Sequence, residues 1–182
     1  MLKITFLLFQ ILLLQACSSI TAESYRDFSP AMDPREFFSG NLTAHGVVKN
    51  RSGRVIRTFN ADIQANWTND TGTLIEHFIF DDGEKQVRTW TLTPDGNGSY
   101  IGTANDVIGA SPMTFTGNSL FMKYVLRIPY GDSTIDVHVD DRMYLTSKDV
   151  LINESRMSKY GLAVGSLALV IIRHDPAGTA PR

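Results

Sequence analysis

Val55-Ile56-Arg57-Thr58-Phe59-Asn60-Ala61-Asp62-Ile63-Gln64-Ala65-Asn66-Trp67 is the stretch that decides the fold class. Its odd positions, Val55, Arg57, Phe59, Ala61, Ile63, Ala65 and Trp67, are apolar apart from Arg57, whereas the intervening Ile56, Thr58, Asn60, Asp62, Gln64 and Asn66 are polar apart from Ile56. A period of two places one set on a buried face and the other in water, which is the pattern of a β-strand. Turn-forming residues bound it on both sides, Arg51-Ser52-Gly53 before and Asn69-Asp70-Thr71-Gly72 after.

Working outward, the same alternation recurs. Leu120, Met122, Tyr124, Leu126 and Ile128 form one apolar row, and Ile135, Val137, Val139, Asp141, Met143 and Leu145 another. Further turn signals stand at Asp81-Asp82-Gly83-Glu84, Pro94-Asp95-Gly96-Asn97-Gly98 and Tyr130-Gly131-Asp132-Ser133. Long strands with one wet face, joined by short turns, predict an all-β antiparallel meander closed into a barrel. Closure removes the unpaired edges that an open meander would expose. Leu162–Ile172 (LAVGSLALVII) is apolar on both faces and too short to span a bilayer as a helix. It reads as a strand covered on both sides that closes the barrel or packs under the N-terminal segment. A helical turn or two is expected only around Asn153–Lys159.

The composition sets bounds. With 182 residues and 43% apolar content, the chain has material for one core. Its 17 Lys+Arg against 19 Asp+Glu are spread without like-charge blocks, so no nucleic-acid footprint is visible. The single cysteine excludes an intramolecular disulfide and a thiolate-rich metal site.

That cysteine follows an apolar run. Lys3 precedes Ile4–Leu14, which has the length of a signal-peptide core, and Leu14-Gln15-Ala16-Cys17 looks like a bacterial lipobox. Residues 1–16 are therefore expected to be a lipoprotein signal peptide. Residues 17–35 should be a lipidated N-terminus and tether, 36–174 the barrel, and 175–182 a flexible tail. Acylation of Cys17 would tether the domain to a membrane without any transmembrane helix. Ser18 behind it is compatible with sorting to the outer membrane, at the periplasmic face of the envelope.

Several strings together, FFSGNLTAHGVVKNRSGRV, FIFDDGEKQVRTWTL, YIGTANDVIGA, DDRMYL and INESRMSKYGLAVG, resemble DUF3833, a family of bacterial lipoproteins without established activity. The resemblance runs from about residue 33 to 173 and implies a lipocalin-like, calycin-type barrel.

Few residues suggest chemistry. Asp141 falls on the apolar row of its strand, Arg57 on that of its own, and Arg88 shares a face with Trp90 and Leu92. A carboxylate buried alone is costly. Either an internal Asp–Arg pair fixes the barrel or receives a polar head group, or a β-bulge near Asp140-Asp141 returns the carboxylate to solvent or the rim; the second is the simpler reading. Asp106, Asp140 and Asp141 are the rim carboxylates that an enzyme would use, yet no catalytic constellation accompanies them. His45, His77, His138 and His174 are dispersed without metal-ligand spacing, and no G-x-S-x-G elbow occurs. Asp106–Gly109 and Asn153–Gly161 read as turns in which Gly109 and Gly161 supply positive φ. Trp67, Trp90, Phe78 and Phe80 read as core.

The leading expectation is a membrane-tethered module that binds a small apolar or amphipathic ligand, with no cofactor. The alternative is an envelope interaction protein whose barrel is filled by side chains. Trp67, Trp90, Met122 and Met143 point to filling; Ala61, Ala65 and Gly102 point to open space.

Overall fold

In the computed structural model, residues 20–174 are described, and they form eleven strands. These are β1 (Gly40–Asn50), β2 (Val55–Thr68), β3 (Thr71–Phe80), β4 (Lys85–Pro94), β5 (Tyr100–Ala104) and β6 (Val107–Ile108). They continue with β7 (Ser111–Thr116), β8 (Ser119–Tyr130), β9 (Ser133–Ser147), β10 (Val150–Lys159) and β11 (Leu162–His174). Every pairing is antiparallel. The order β8-β7-β5-β4-β3-β2-β1-β11-β10-β9 returns to β8, so ten strands close a barrel, and the short β6 attaches to the far part of β8.

β2 shows why the meander closes. Phe59, Ala61, Ile63 and Ala65 are buried while Thr58, Asn60, Asp62 and Gln64 are exposed, as period two requires. The turn signals fall at strand junctions, except that Asn153–Lys159 of the expected Asn153–Gly161 turn is strand and Val107–Ile108 of Asp106–Gly109 forms the short β6. Gly109 and Gly161 do adopt positive φ, +75° and +77°.

Three expectations need correction. Asn153–Lys159 is strand β10, not helix, because Asn153 and Ser155 find hydrogen-bond partners inside the barrel. β11 is not covered on both faces: Leu162 is 62% and Val164 42% exposed, since no described residue packs outside the wall there. The tether does not run free to residue 35. One turn of 3-10 helix (Ala22–Tyr25) docks on the barrel, with Ala22 and Met32 buried and Tyr25 packed on Phe121 and Tyr144. Met32 N–H donates to the Gly117 carbonyl at 2.7 Å.

The segment then crosses one end of the barrel as a single turn of helix, α1 (Pro34–Phe37). Asp33 caps it, its carboxylate accepting from the Arg35 and Glu36 amides, and Pro34 occupies the first turn, where no amide hydrogen is needed. Phe37 and Phe38, edge to face with centroids 5.1 Å apart, are driven into this end against Leu42 and its neighbours. Trp67 donates its indole N–H to the Phe38 carbonyl at 2.7 Å, tying the plug to the wall. This is the closed end; the turns β1–β2, β3–β4, β8–β9 and β10–β11 lie at the other.

Candidate functional site

The interior is filled at one end and hollow at the other. Beneath the plug a residual cavity of about 110 Å³ runs among Trp90, Leu92, Met113, Leu120 and Met122. Above it, sharing Phe59, Phe78, Arg88 and Leu167, a space of about 680 Å³ opens between the turns. Small-molecule pockets span roughly 300–1,000 Å³. The upper walls are mostly apolar: Phe80, Val107, Leu126, Val137 and Met157 line them. Phe59 packs on Phe78 and Phe80, with centroids 5.6 and 5.7 Å away.

Strand alternation turns Glu76 and Arg88 inward, and register sets them opposite each other on β3 and β4. Arg88 binds Asp106, from the β5–β6 turn, through both ends of its guanidinium, Nε and Nη2, at 2.8–2.9 Å. Its Nη1 stands 3.8 Å from Glu76 Oε2. That oxygen is buried and accepts no hydrogen bond from any described residue. Burial pushes the Glu76 carboxyl up to about 7, opposed by Arg88 and helped by Asp106 and Asp141. Burial works against the charge on Arg88, but Glu76 and Asp106 outweigh it and hold the guanidinium charged.

Asp141, buried on β9, lies directly opposite Ser155 on β10 and Met122 on β8. Its carboxylate accepts from Asn153 Nδ2 at 2.8 Å, from Ser155 Oγ, and from Tyr124 OH at 3.1 Å. Burial raises its pKa, while Ser155, Asn153, Tyr124 and Arg88 oppose the rise. Burial, together with Asp141, lifts the Tyr124 phenol far above its ordinary value.

The candidate residues thus part company. Arg88 and Asp106 line the upper space, and Asp141 lines the smaller cavity beneath it, which Arg88 also borders. Arg57 stands at its mouth, with Nη2 2.7 Å from Asp82 and 2.6 Å from Glu84 and its guanidinium 3.6 Å above the Phe80 ring. Asp140 lies on the outer wall, paired with Arg142 at 3.1 Å, because it faces opposite to Asp141; it lines a shallow outer recess with Lys123 and His138 and not the barrel interior. No bulge occurs at Asp140-Asp141, where the register on both neighbours is continuous, so Asp141 stays inside. An internal Asp–Arg pair does exist, but it joins Arg88 to Asp106 and leaves Asp141 to three uncharged donors.

Glu76, Tyr124, Asn153 and Ser155 join this site without having been singled out from the sequence. Strict alternation along Leu74-Glu76-Phe78-Phe80 and Leu151-Asn153-Ser155-Met157 carries the signal for three of them. Cys17 lies outside the described residues. No helix among the described residues is long and apolar enough to cross a membrane.

A closed ten-strand antiparallel barrel with a partly hollow interior is a lipocalin-like fold, and solved structures share it. An S-type phycobiliprotein lyase from Guillardia theta is 12% identical with a TM-score of 0.57, over 79% of this chain and 94% of that one. Rv2717c from M. tuberculosis is 16% identical with a TM-score of 0.53, over 82% of this chain and 100% of that one. A protein of unknown function from the DUF3598 family of Nostoc punctiforme is 15% identical with a TM-score of 0.56; 87% of this chain matches 53% of that one. At these identities the likeness concerns the fold. Among curated proteins none matches the chain. The chain belongs to DUF3833, a family of proteins of unknown function, whose family model matches residues 11–173.

Proposed function

We propose that the protein is a binding module for one small amphipathic molecule, held at a bacterial envelope membrane by lipid on Cys17. The observation that carries the binding reading is the space of about 680 Å³, with mostly apolar walls and the paired Arg88 and Asp106 among its lining, and with Glu76 in the smaller cavity beneath. A few converging polar groups beneath apolar walls are what orient a small ligand. Native mass spectrometry of the purified protein tests it. A reproducible extra mass that leaves on denaturation supports the reading; a bare mass that persists after incubation with envelope lipid extract counts against it.

The anchor follows from the lipobox-like string and gains a geometric consequence. Cys17 stands five residues before Ala22, which is packed at the closed end, so at most roughly 18 Å of chain separates them. An anchor on Cys17 turns the closed end toward its membrane and the mouth away from it. Ser18 behind the cysteine is compatible with sorting to the outer membrane, and that is the membrane proposed. Labelled palmitate should enter the wild type and not the Cys17→Ser variant, and the variant should leave the outer-membrane fraction.

One observation favours a second reading, an envelope interaction protein. Exposed apolar side chains gather at the mouth: Ile56, Ile79, Val87, Ile108, Tyr130 and Tyr160. Crosslinking from the rim to a protein neighbour, together with a bare native mass, would decide for it.

A further inference from the structure

Resting on the binding reading, we propose that the barrel selects an amphiphile with a cationic nitrogen, and disfavours fatty-acid anions, because the upper space and the smaller cavity beneath it together present four carboxylates, Glu76, Glu84, Asp106 and Asp141, against three guanidinium groups, Arg57, Arg88 and Arg127. Where the two cavities meet at Arg88, three carboxylates stand near that one guanidinium, Asp106 lining the upper space and Glu76 and Asp141 the smaller cavity below it. Asp106 takes Nε and Nη2 of that guanidinium, so little of its charge is left to a ligand. Glu76 Oε2 stays buried without a donor from any described residue. The mouth repeats the imbalance. Arg57 faces two carboxylates, Asp82 and Glu84, and Arg127 is balanced by Asp136 at 2.9 Å.

A ligand carboxylate reaching the junction of the two cavities would meet Glu76 and find Arg88 engaged by Asp106; at the mouth Arg57 Nη2 is engaged by Asp82 and Glu84, while its buried Nε has no partner among the described residues. Like charges in a poorly hydrated space repel strongly. A protonated amine reaching this junction supplies Glu76 Oε2 with the donor it lacks, and its charge offsets the acid excess. The aromatic wall fits the same chemistry. Arg57 lies 3.6 Å above Phe80 and Arg88 5.5 Å from Phe78, so these faces already receive positive charge. An organic cation suits the site better than a metal ion. Among the described residues no three His, Cys, Asp or Glu side chains come together as a metal site, and the upper space is large and mostly apolar.

The test is isothermal titration of the full chain with three C12 amphiphiles below their aggregation limits, dodecylamine, dodecanol and dodecanoate, at pH 7.5. Dodecylamine should bind at least tenfold more tightly than dodecanoate, with dodecanol between them. Glu76→Gln should shrink the gap between amine and carboxylate at least fivefold and leave dodecanol unchanged. If Glu76→Gln does not fold, Asp106→Asn removes one charge of the same excess from a less buried position and should narrow the gap in the same direction. Dodecanol and dodecanoate binding as tightly as the amine would overturn the cation preference while leaving a binding barrel. No binding of any of the three, together with a bare native mass, would overturn both.

Discussion

The two ends of this barrel are built from the same strands and differ in what fills them. At the closed end α1 folds Phe37 and Phe38 over the opening, and Leu42, Leu120, Leu145 and Leu151 are almost fully buried beneath them. At the mouth the walls are mostly apolar, but no segment of the described residues crosses them and large side chains such as Ile79 and Tyr130 are left exposed. The difference teaches that barrel closure and core packing are separable. Ten strands close the wall, and a short capped turn of chain decides which end becomes solid.

The sharpest way to break that contrast is to remove the plug. Phe37→Ala deletes a ring that is 1% exposed, and truncations of this kind cost about 3–5 kcal/mol. Phe80→Ala, at the half-buried mouth, should cost about 1 kcal/mol or less, because the space beside it is already open, yet it should weaken any bound amphiphile. Urea denaturation of the two variants checks this. Equal losses would mean that the mouth is as much a structural core as the plug.

Next in size is the pH dependence conferred by Glu76. Its folded pKa of about 7 lies above the ordinary carboxyl value of 4.5, so the native state holds a proton that the unfolded chain releases. Stability contributed by that proton is present below pH 4.5 and declines as pH rises toward about 7, by up to roughly 3 kcal/mol. Glu76→Gln removes this slope: the variant should be the more stable of the two at pH 8 and lose that advantage near pH 5. Thermal melts at both values decide it, and parallel profiles would show that Glu76 is solvated.

A third effect concerns the seats of the aromatic rings. A Cβ on Gly46 of β1 would come 2.4 Å from Phe59 Cζ and 2.8 Å from Leu169 Cβ. Overpacking costs about 1–3 kcal/mol in a solid core. Here the Phe59 ring has open space to move into, so Gly46→Ala should lie near the low end and reduce binding more than stability. A melt combined with a ligand titration separates the two; a large stability loss with unchanged binding would place Phe59 in the solid half.

Much of this was legible in the sequence. The alternation from Val55 to Trp67 and the turn residues are local features, and they brought out the strands and the barrel; the alternation also set Asp141 on an apolar row, but the reading preferred there was a bulge, which the continuous register overturns. What failed to show depended on neighbours distant in sequence. Asn153 and Ser155 sit in a short polar stretch that reads as helix or turn until Asp141, more than ten residues earlier, supplies their partner. Glu76 was hidden because Ile75 and Ile79 on the outer face blur the alternation of β3. Gly102 pointed to empty space, but the Trp90 ring from the adjacent strand lies 3.3 Å from where its Cβ would be, so the small residue marks the filled half. Residue size along one strand says little about volume when the next strand provides the ring.

Arg57 supplies the smallest effect. Its partners Asp82 and Glu84 are 56% and 46% exposed, and ion pairs of such exposure contribute about 0–1 kcal/mol. Stacking on Phe80 adds a similar small amount. Arg57→Ala should therefore leave the melt nearly unchanged. Its value lies in the direction of its effect on binding. Removing a positive charge from the mouth leaves Asp82 and Glu84 uncompensated and deepens the acid excess, so dodecylamine should bind about two- to fivefold more tightly. Were Arg57 instead the receptor for an anionic head group, the same change would weaken dodecanoate and leave the amine unmoved. One variant with an intact fold thus separates a mouth that attracts cations from one that captures anions.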